Sequence, residues 1–193
     1  MECRVLIVDL SARFGGSNAR VLGLMQALPR GVAALGALEN SPGFEQARQM
    51  GLDVYGVARS KFDPMIPFRL KRIVQNNGFQ ILDAQNPQSK FWATLVSYMT
   101  GASLVSTLNS WYESEYTGVL KGRVYQGVER VTSRPTSVFI AVSEDIRDRL
   151  LLAGEPQEKV FLVPNAAPDN LEAIQGDEQW LREAFGFPEN AVV

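Results

Sequence analysis

The sequence predicts a doubly wound α/β domain: a Rossmann-like, mostly parallel sheet of about seven strands with helices on both faces. Three observations predict it. Short apolar runs alternate with segments of helical spacing from the first residues to about residue 163. Several of those runs are continuously apolar rather than alternating, as strands covered on both faces must be. Most helical segments stop at glycine or proline before the next run begins, which is how a strand-helix-strand chain is punctuated.

The elements follow in order. Val5-Leu6-Ile7-Val8 is the first strand, and Val21, Leu24, Met25 and Leu28 mark the first helix, stopped by Pro29 and Gly31. A second strand spans 31–38, a short helix 42–50 and a third strand 52–57. Ile66, Leu70, Ile73 and Val74 share one helical face, closed by Asn77-Gly78 as a left-handed cap. Phe79 to Leu82 is the fourth strand, and Phe91, Leu95, Val96 and Met99 form the next helical stripe. Ser103 to Leu108 is the fifth strand. Leu120, Val124, Val128 and Val131 define a longer helix broken before Pro135. Ser137 to Val142 is the sixth strand, Ser143 caps a helix with Ile146 and Leu150, and Val160 to Val163 is the seventh strand. From Asn165 to about Gly176 polarity rises as in a linker, 180–185 is a short helix, and 191–193 resembles the opening of a strand. The expected organisation is one domain over 1–167, then 168–193 as linker and lead-in to a second domain that the chain lacks.

Composition narrows the chemistry. The chain has 193 residues, one cysteine and no histidine. Lacking histidine, it has no imidazole base, no Ser-His-Asp triad and no His-ligated zinc. The single Cys3 fits a reducing cytoplasm. No run reaches the roughly 20 apolar residues of a membrane span, and no signal-peptide pattern opens the chain. Residues 1–154 carry 17 Lys and Arg against 13 Asp and Glu, whereas 155–193 carry 2 against 8. The mildly basic body suits an anionic ligand or membrane surface and is too weak for nucleic acid.

In doubly wound sheets ligands bind beyond the carboxyl ends of the strands, so the loops there hold the candidates. The first strand leads to Phe14-Gly15-Gly16-Ser17-Asn18 at a helix start, where paired glycines and the helix dipole suit an anion. A tight turn that needs glycine explains the same residues. Asp83-Ala84-Gln85-Asn86 and Leu108-Asn109-Ser110-Trp111 place amides and an aromatic ring at strand ends, chemistry suited to hydroxyl-rich molecules or to simple loop capping. Ser143, with Glu144 and Asp145, reads as a helix cap. Glu113 and Glu115 are not a D-x-D metal motif. Arg59, Lys61, Arg69, Lys71 and Arg72 form a basic cluster opposed only by Asp63, with Phe62, Met65, Ile66 and Phe68 beside it. That group suits an anionic membrane or a solvated helix face. Lys121, Arg123, Arg130 and Arg134 form a second cluster.

Three segments together carry a resemblance. Val5-Leu6-Ile7-Val8 with Phe14-Gly15-Gly16, the run Val138-Phe139-Ile140-Ala141-Val142-Ser143-Glu144, and Lys159-Val160-Phe161-Leu162-Val163-Pro164-Asn165 resemble the N-terminal, acceptor-side domain of the group 1 retaining glycosyltransferases with the two-domain B fold. The resemblance implies a nucleotide-sugar donor as substrate, bound through a C-terminal domain, and a hexose-type sugar passed with retention to a glycan, lipid or small-molecule acceptor. It implies no tightly bound cofactor and no metal. It points to Gly15, Gly16 and Ser17 near donor phosphates and acceptor, with Asn86, Trp111 and Asn165 as further contacts. Asn109 occupies the place of the family histidine that contacts the transferred sugar, and Gln85-Asn86 stands where the fourth-strand loop often has another. Ala166 replaces the hinge glycine. The family's E-x7-E pattern is missing: no two glutamates have seven residues between them. The expectation is therefore a chain that is inactive alone, cytoplasmic, and peripheral on the inner membrane face. The runner-up is a non-catalytic acceptor-binding or regulatory module completed by a partner polypeptide. A nicotinamide oxidoreductase is a third reading, opposed by the missing G-x-G-x-x-G.

Overall fold

Seven strands build the sheet in the computed structural model, which describes residues 3–111 and 132–165. They are β1 (Val5–Asp9), β2 (Ala33–Leu38), β3 (Val54–Ala58), β4 (Ile81–Ala84), β5 (Ser103–Leu108), β6 (Thr136–Ala141) and β7 (Val160–Leu162). Their order is β3-β2-β1-β4-β5-β6-β7, and every neighbouring pair is parallel. The helices with described bounds are α1 (Gly16–Ala27), α2 (Pro42–Gln49), α3 (Ile66–Asn77), α4 (Pro87–Thr100) and α5 (Glu144–Leu152). The predicted helix around Leu120 to Val131, the Glu113/Glu115 pair, Lys121, Arg123, Arg130 and residues 166–193 lie outside the described residues.

The sheet is covered on both faces. Ile7, Ala33, Leu35 and Ala37 pack with Val21, Leu22 and Met25 of α1 and Ala47 of α2. On the opposite face Leu6, Val8, Leu82, Ala84 and Leu104 pack with Ile66, Leu70 and Val74 of α3 and Ala93 and Val96 of α4. Leu108, Phe139 and Ala141 continue that second face toward α5, against Ile146 and Leu150. The apolar runs are continuous because alternate residues of each strand serve different helix layers. From β1 the chain winds outward to β2 and β3, then returns to β4 on the other side. The strand order therefore reverses between β1 and β4, the position where such sheets open a crevice.

The ends of the elements obey local chemistry. Gly78 and Gly101 close α3 and α4 at φ 65° and 77°, the left-handed conformation that a Cβ penalises. Ser143 Oγ accepts from the Ile146 amide, so the expected cap of α5 forms. Strand bounds shift by up to two residues from expectation, because pairing rather than hydrophobicity sets them: Val5 pairs with both Ala33 and Ile81.

Two helical stripes differ from the sequence reading. In α1, Leu24 is exposed and Asn18, Val21, Leu22 and Met25 are buried. In α4, Phe91 and Leu95 are exposed, while Ser89, Lys90, Ala93, Thr94 and Val96 are buried. The rotation of α4 has a polar cause. Asn86 Oδ1 accepts from the Ser89 amide at 2.9 Å, and Ser89 Oγ accepts from the Leu10 amide at 3.0 Å. These bonds turn the Ser89-Ala93-Val96 side inward, where small residues let the helix approach the sheet. Leu82→Ala should cost about 2–5 kcal/mol in urea unfolding, whereas Leu95→Ala should stay within about 1 kcal/mol; equal losses would place Leu95 in the core.

Candidate functional site

The crevice is lined by a polar network rooted in the Asp9 carboxylate at the end of β1, which is 1% exposed. Its Oδ1 accepts from the Ser11 amide at 3.0 Å and from Asn86 Nδ2 at 2.9 Å. Its Oδ2 accepts from Asn18 Nδ2 at 2.9 Å and, at the longer 3.5 Å, from Ser17 Oγ. Asn18 Oδ1 in turn accepts from the Gly15 amide at 3.0 Å. One buried carboxylate thus ties the start of α1 and the N-cap of α4 to the central strand. Buried charge needs this degree of hydrogen bonding to persist.

Gly15 and Gly16 open α1 without a strained backbone. Gly15 is extended at φ −155°, and Gly16 is not among the residues of positive φ. A Cβ added at either would meet nothing within 4 Å. The tight-turn explanation therefore lacks its cause: neither conformation nor packing demands glycine. The pair leaves open the helix N-terminus, whose first amides have no acceptor within the helix.

A second cluster lies beside the first, between β4 and β5. Asp83 shares its sheet face with Ile7 and Val105, its register partners, and therefore faces the α1 layer. Its Oδ1 accepts from Thr107 Oγ1 at 2.7 Å and its Oδ2 from Gln85 Nε2 at 2.8 Å. Asn109 Nδ2 donates to the Gln85 carbonyl at 3.1 Å and to Gln85 Oε1 at 3.3 Å. Asn109 Oδ1 is buried with no hydrogen-bond partner among the described residues, as is one terminal guanidinium nitrogen of Arg20 on α1. Burial pushes the Asp83 carboxyl up to about 6, against the opposing pull of the Thr107 hydroxyl, the Arg20 charge and the Gln85 amide.

The structure brings Gly15, Gly16, Ser17 and Asn86 together around Asp9, with Asn109 on the adjoining cluster. It does not bring Trp111 or Asn165 there. Trp111 packs against the Leu108-Phe139-Ile146-Leu150 cluster, with the Arg149 guanidinium 5.9 Å from its ring centroid. Asn165 is exposed beyond β7, on the far side of the sheet order. Asp9 and Arg20 are the residues sequence reasoning missed, while Asn18, Asp83 and Thr107 lay in its candidate loops without an assigned role. The one legible signal is an acid closing an otherwise apolar strand, as Asp9 does. Among the described residues no three His, Cys, Asp or Glu side chains form a group able to hold a metal ion.

The basic cluster around α3 is more neutral than its sequence. Arg69 donates to Asp63 Oδ2 at 2.8 Å and to the Val57 carbonyl at 2.9 Å, and Arg59 meets Glu39, an acid distant in sequence, at 3.4 Å. Lys61, Lys71 and Arg72 have no such ion pair among the described residues. Phe62, Met65 and Phe68 beside them are exposed. No helix among the described residues is long and apolar enough to cross a membrane.

The Asp83 shift makes a stability prediction. Its folded value exceeds the unfolded one, so in acid the folded state takes up a proton before the unfolded state does, and stability rises as pH falls. The penalty for ionised Asp83, about 3 kcal/mol, is fully present above the folded value and relieved toward the unfolded one. Between about pH 7 and pH 5, Asp83→Asn should remove this contribution from the melting temperature profile. An unchanged profile would show that Asp83 is not the source.

Comparison with known proteins gives the family and the fold. The family model for the glycosyl transferase 4-like domain matches residues 15–166. Among curated protein sequences none matches the chain. Among solved structures, HepE from Anabaena in complex with UDP-glucose superposes with a TM-score of 0.74 at 18% identity, over 95% of this chain and 50% of that one. The lipopolysaccharide outer core galactosyltransferase WaaB gives 0.60 at 11% identity, over 84% of this chain and 45% of that one. UDP-N-acetylglucosamine 2-epimerase from Rickettsia bellii gives 0.61 at 12%, over 97% and 52%. At these identities the likeness shows the fold, which transferases share with an epimerase, and the chain spans about half the length of these proteins. The family match over most of the chain, on an all-parallel sheet of the same architecture, identifies this polypeptide as a member of the glycosyl transferase 4-like domain family with the Rossmann-like fold of the B-fold glycosyltransferases.

Proposed function

We propose that this domain, over residues 1–167, is the acceptor-side half of a retaining glycosyltransferase of group 1. In this reading it passes a hexose-type sugar from a nucleotide-sugar donor to a glycan, lipid or small-molecule acceptor. The observation that carries the reading is the unforced glycine pair at the start of α1, set over the Asp9 network in the switch-point crevice. An open helix N-terminus there suits the donor phosphates, and the leaving phosphate develops charge where the amides and helix dipole stabilise it. Asn86 and Asn109 supply amides beside it for sugar hydroxyls. Asn109 neither gives nor takes a proton near neutral pH, so its role is hydrogen bonding rather than acid-base catalysis. The donor's base and sugar belong to a second domain, joined through 168–193 or carried by a partner polypeptide. Metal is not required in this reading, and this chain alone does not turn over.

HepE in complex with UDP-glucose makes that nucleotide sugar the first donor to try. The decisive assay compares the chain alone with a longer polypeptide bearing a donor-binding domain, against a panel of nucleotide sugars. Hydrolysis or transfer should appear only in the longer form; turnover by the chain alone would overturn the half-enzyme reading. Within the active form, Gly15→Ala with Gly16→Ala should lower kcat/KM at least about tenfold, a loss of about 1.4 kcal/mol. The melting temperature should change little, because neither Cβ meets a neighbour and the gain in helix propensity at Gly16 offsets the weaker N-cap at Gly15. A parallel loss of both would return the glycines to a structural role. The absence of any histidine favours the second reading, a binding or regulatory module, if the longer form is also silent.

We also place the domain in the cytoplasm, peripheral on an anionic membrane. Phe62, Met65 and Phe68 would dip into the interface while Lys61, Lys71 and Arg72 meet the headgroups. Vesicles containing phosphatidylglycerol should sediment with the chain and release it at high salt. Phe62→Ser with Phe68→Ser should abolish the association; retention by the double variant would sink the membrane reading.

A further inference from the structure

The orphaned Asn109 oxygen is the end of a chain of constraints that starts at Asp83. A carboxylate only accepts hydrogen bonds, so Asp83 compels Gln85 to turn its Nε2 toward Oδ2, at 2.8 Å. Gln85 then presents Oε1 on its other side. Asn109 must turn Nδ2 toward that oxygen and toward the Gln85 carbonyl, at 3.3 and 3.1 Å. Flipping either amide would set oxygen against oxygen. The consequence is that Asn109 Oδ1 is left as an acceptor with no donor among the described residues.

We propose that Asp83 is a positioning residue: acting through the Gln85 side chain, it reinforces the polarity that the Gln85 carbonyl also gives the Asn109 amide, so that the site presents an acceptor and therefore selects a ligand group that donates, a hydroxyl or an N–H. The geometry carries this step by step across β4 and β5. Thr107 Oγ1 holds the other carboxylate oxygen at 2.7 Å and stops the carboxylate from turning away. Arg20, from the helix layer over this face, is the charged group whose field favours the ionised form. Asp9, on the adjoining strand, is engaged separately by Ser11, Ser17, Asn18 and Asn86. When Asp83 takes up a proton it becomes a donor as well, and the compulsion on Gln85 relaxes. The inference rests on the proposed function only in giving Asn109 a sugar to meet; the relay itself is a property of this chain.

The test is nuclear magnetic resonance on the labelled 193-residue chain, following the Asp83 carboxyl carbon and the Asn109 side-chain amide together from about pH 8 to pH 4.5. Both should move with one midpoint, near 6. In Asp83→Asn the Asn109 amide should lose its dependence on pH, and its protons should exchange with solvent about tenfold faster. If that variant does not fold, Thr107→Val removes one donor to the carboxylate, so the Asp83 midpoint rises and the Asn109 midpoint must rise with it. An Asn109 amide that ignores Asp83 titration, or keeps its midpoint in Thr107→Val, overturns the relay. Addition of UDP-glucose and of acceptor sugars tests the other reading separately. Shared titration without sugar-induced shifts at Asn109 keeps the relay and removes the sugar contact.

Discussion

The Asp9 carboxylate is the constraint on which the rest of the crevice depends. An ionisable side chain at the end of a central, doubly covered strand is costly to bury, and the molecule meets the cost with donors from three directions. Those donors are the backbone after β1, the first turn of α1 and the cap of α4. Each brings its element to a defined place around the switch point. The same interaction explains why the buried sides of α1 and α4 begin with polar residues, Asn18 and Ser89. Two helices from opposite faces of the sheet are thereby set in register with one strand end, where a ligand must be met with small tolerance.

A division of labour follows from that anchoring. The Asp9 cluster spends its hydrogen bonds internally and leaves the glycine opening of α1 clear. Among the described residues the Asp83 cluster leaves two groups unmet, an Arg20 nitrogen and the acceptor oxygen of Asn109. The first is a rigid frame; the second has a hydrogen bond still to make, as expected of a surface that awaits a ligand. The glycine pair at the helix start has the chemistry to suit an anion, and the amides have the chemistry to suit hydroxyls. A fold shared by transferases and an epimerase acquires its reaction from such local arrangements.

Much of the framework was legible in the sequence because it depends on local periodicity. Seven apolar runs separated by capped helices become seven parallel strands, and Gly78, Gly101 and Ser143 end or begin their helices as their chemistry dictates. The glycine loop and the amides after the fourth and fifth strands were also visible, since a loop after a strand in such a fold can only emerge at the ligand-binding edge. The stripes of α1 and α4 were misjudged where a hydrophobic count ignores polar anchors. Phe91 and Leu95 satisfy helical spacing, but Ser89 and Asn86 decide which side turns inward.

By itself, then, the sequence determined the order of elements, the parallel sheet and the edge at which a site must lie, because each follows from short-range spacing and the handedness of crossovers. Only tertiary structure decided which polar residues meet. Asp9 and Asn86 are 77 positions apart and Asp83 and Thr107 are 24 apart, so no local pattern announces either pair. It also separated Trp111 and Asn165 from the crevice, and paired Arg59 with Glu39. The reason is physical: hydrogen bonds and desolvation act between atoms a few ångströms apart, and parallel strands bring distant stretches of chain to that range in ways a linear pattern does not encode.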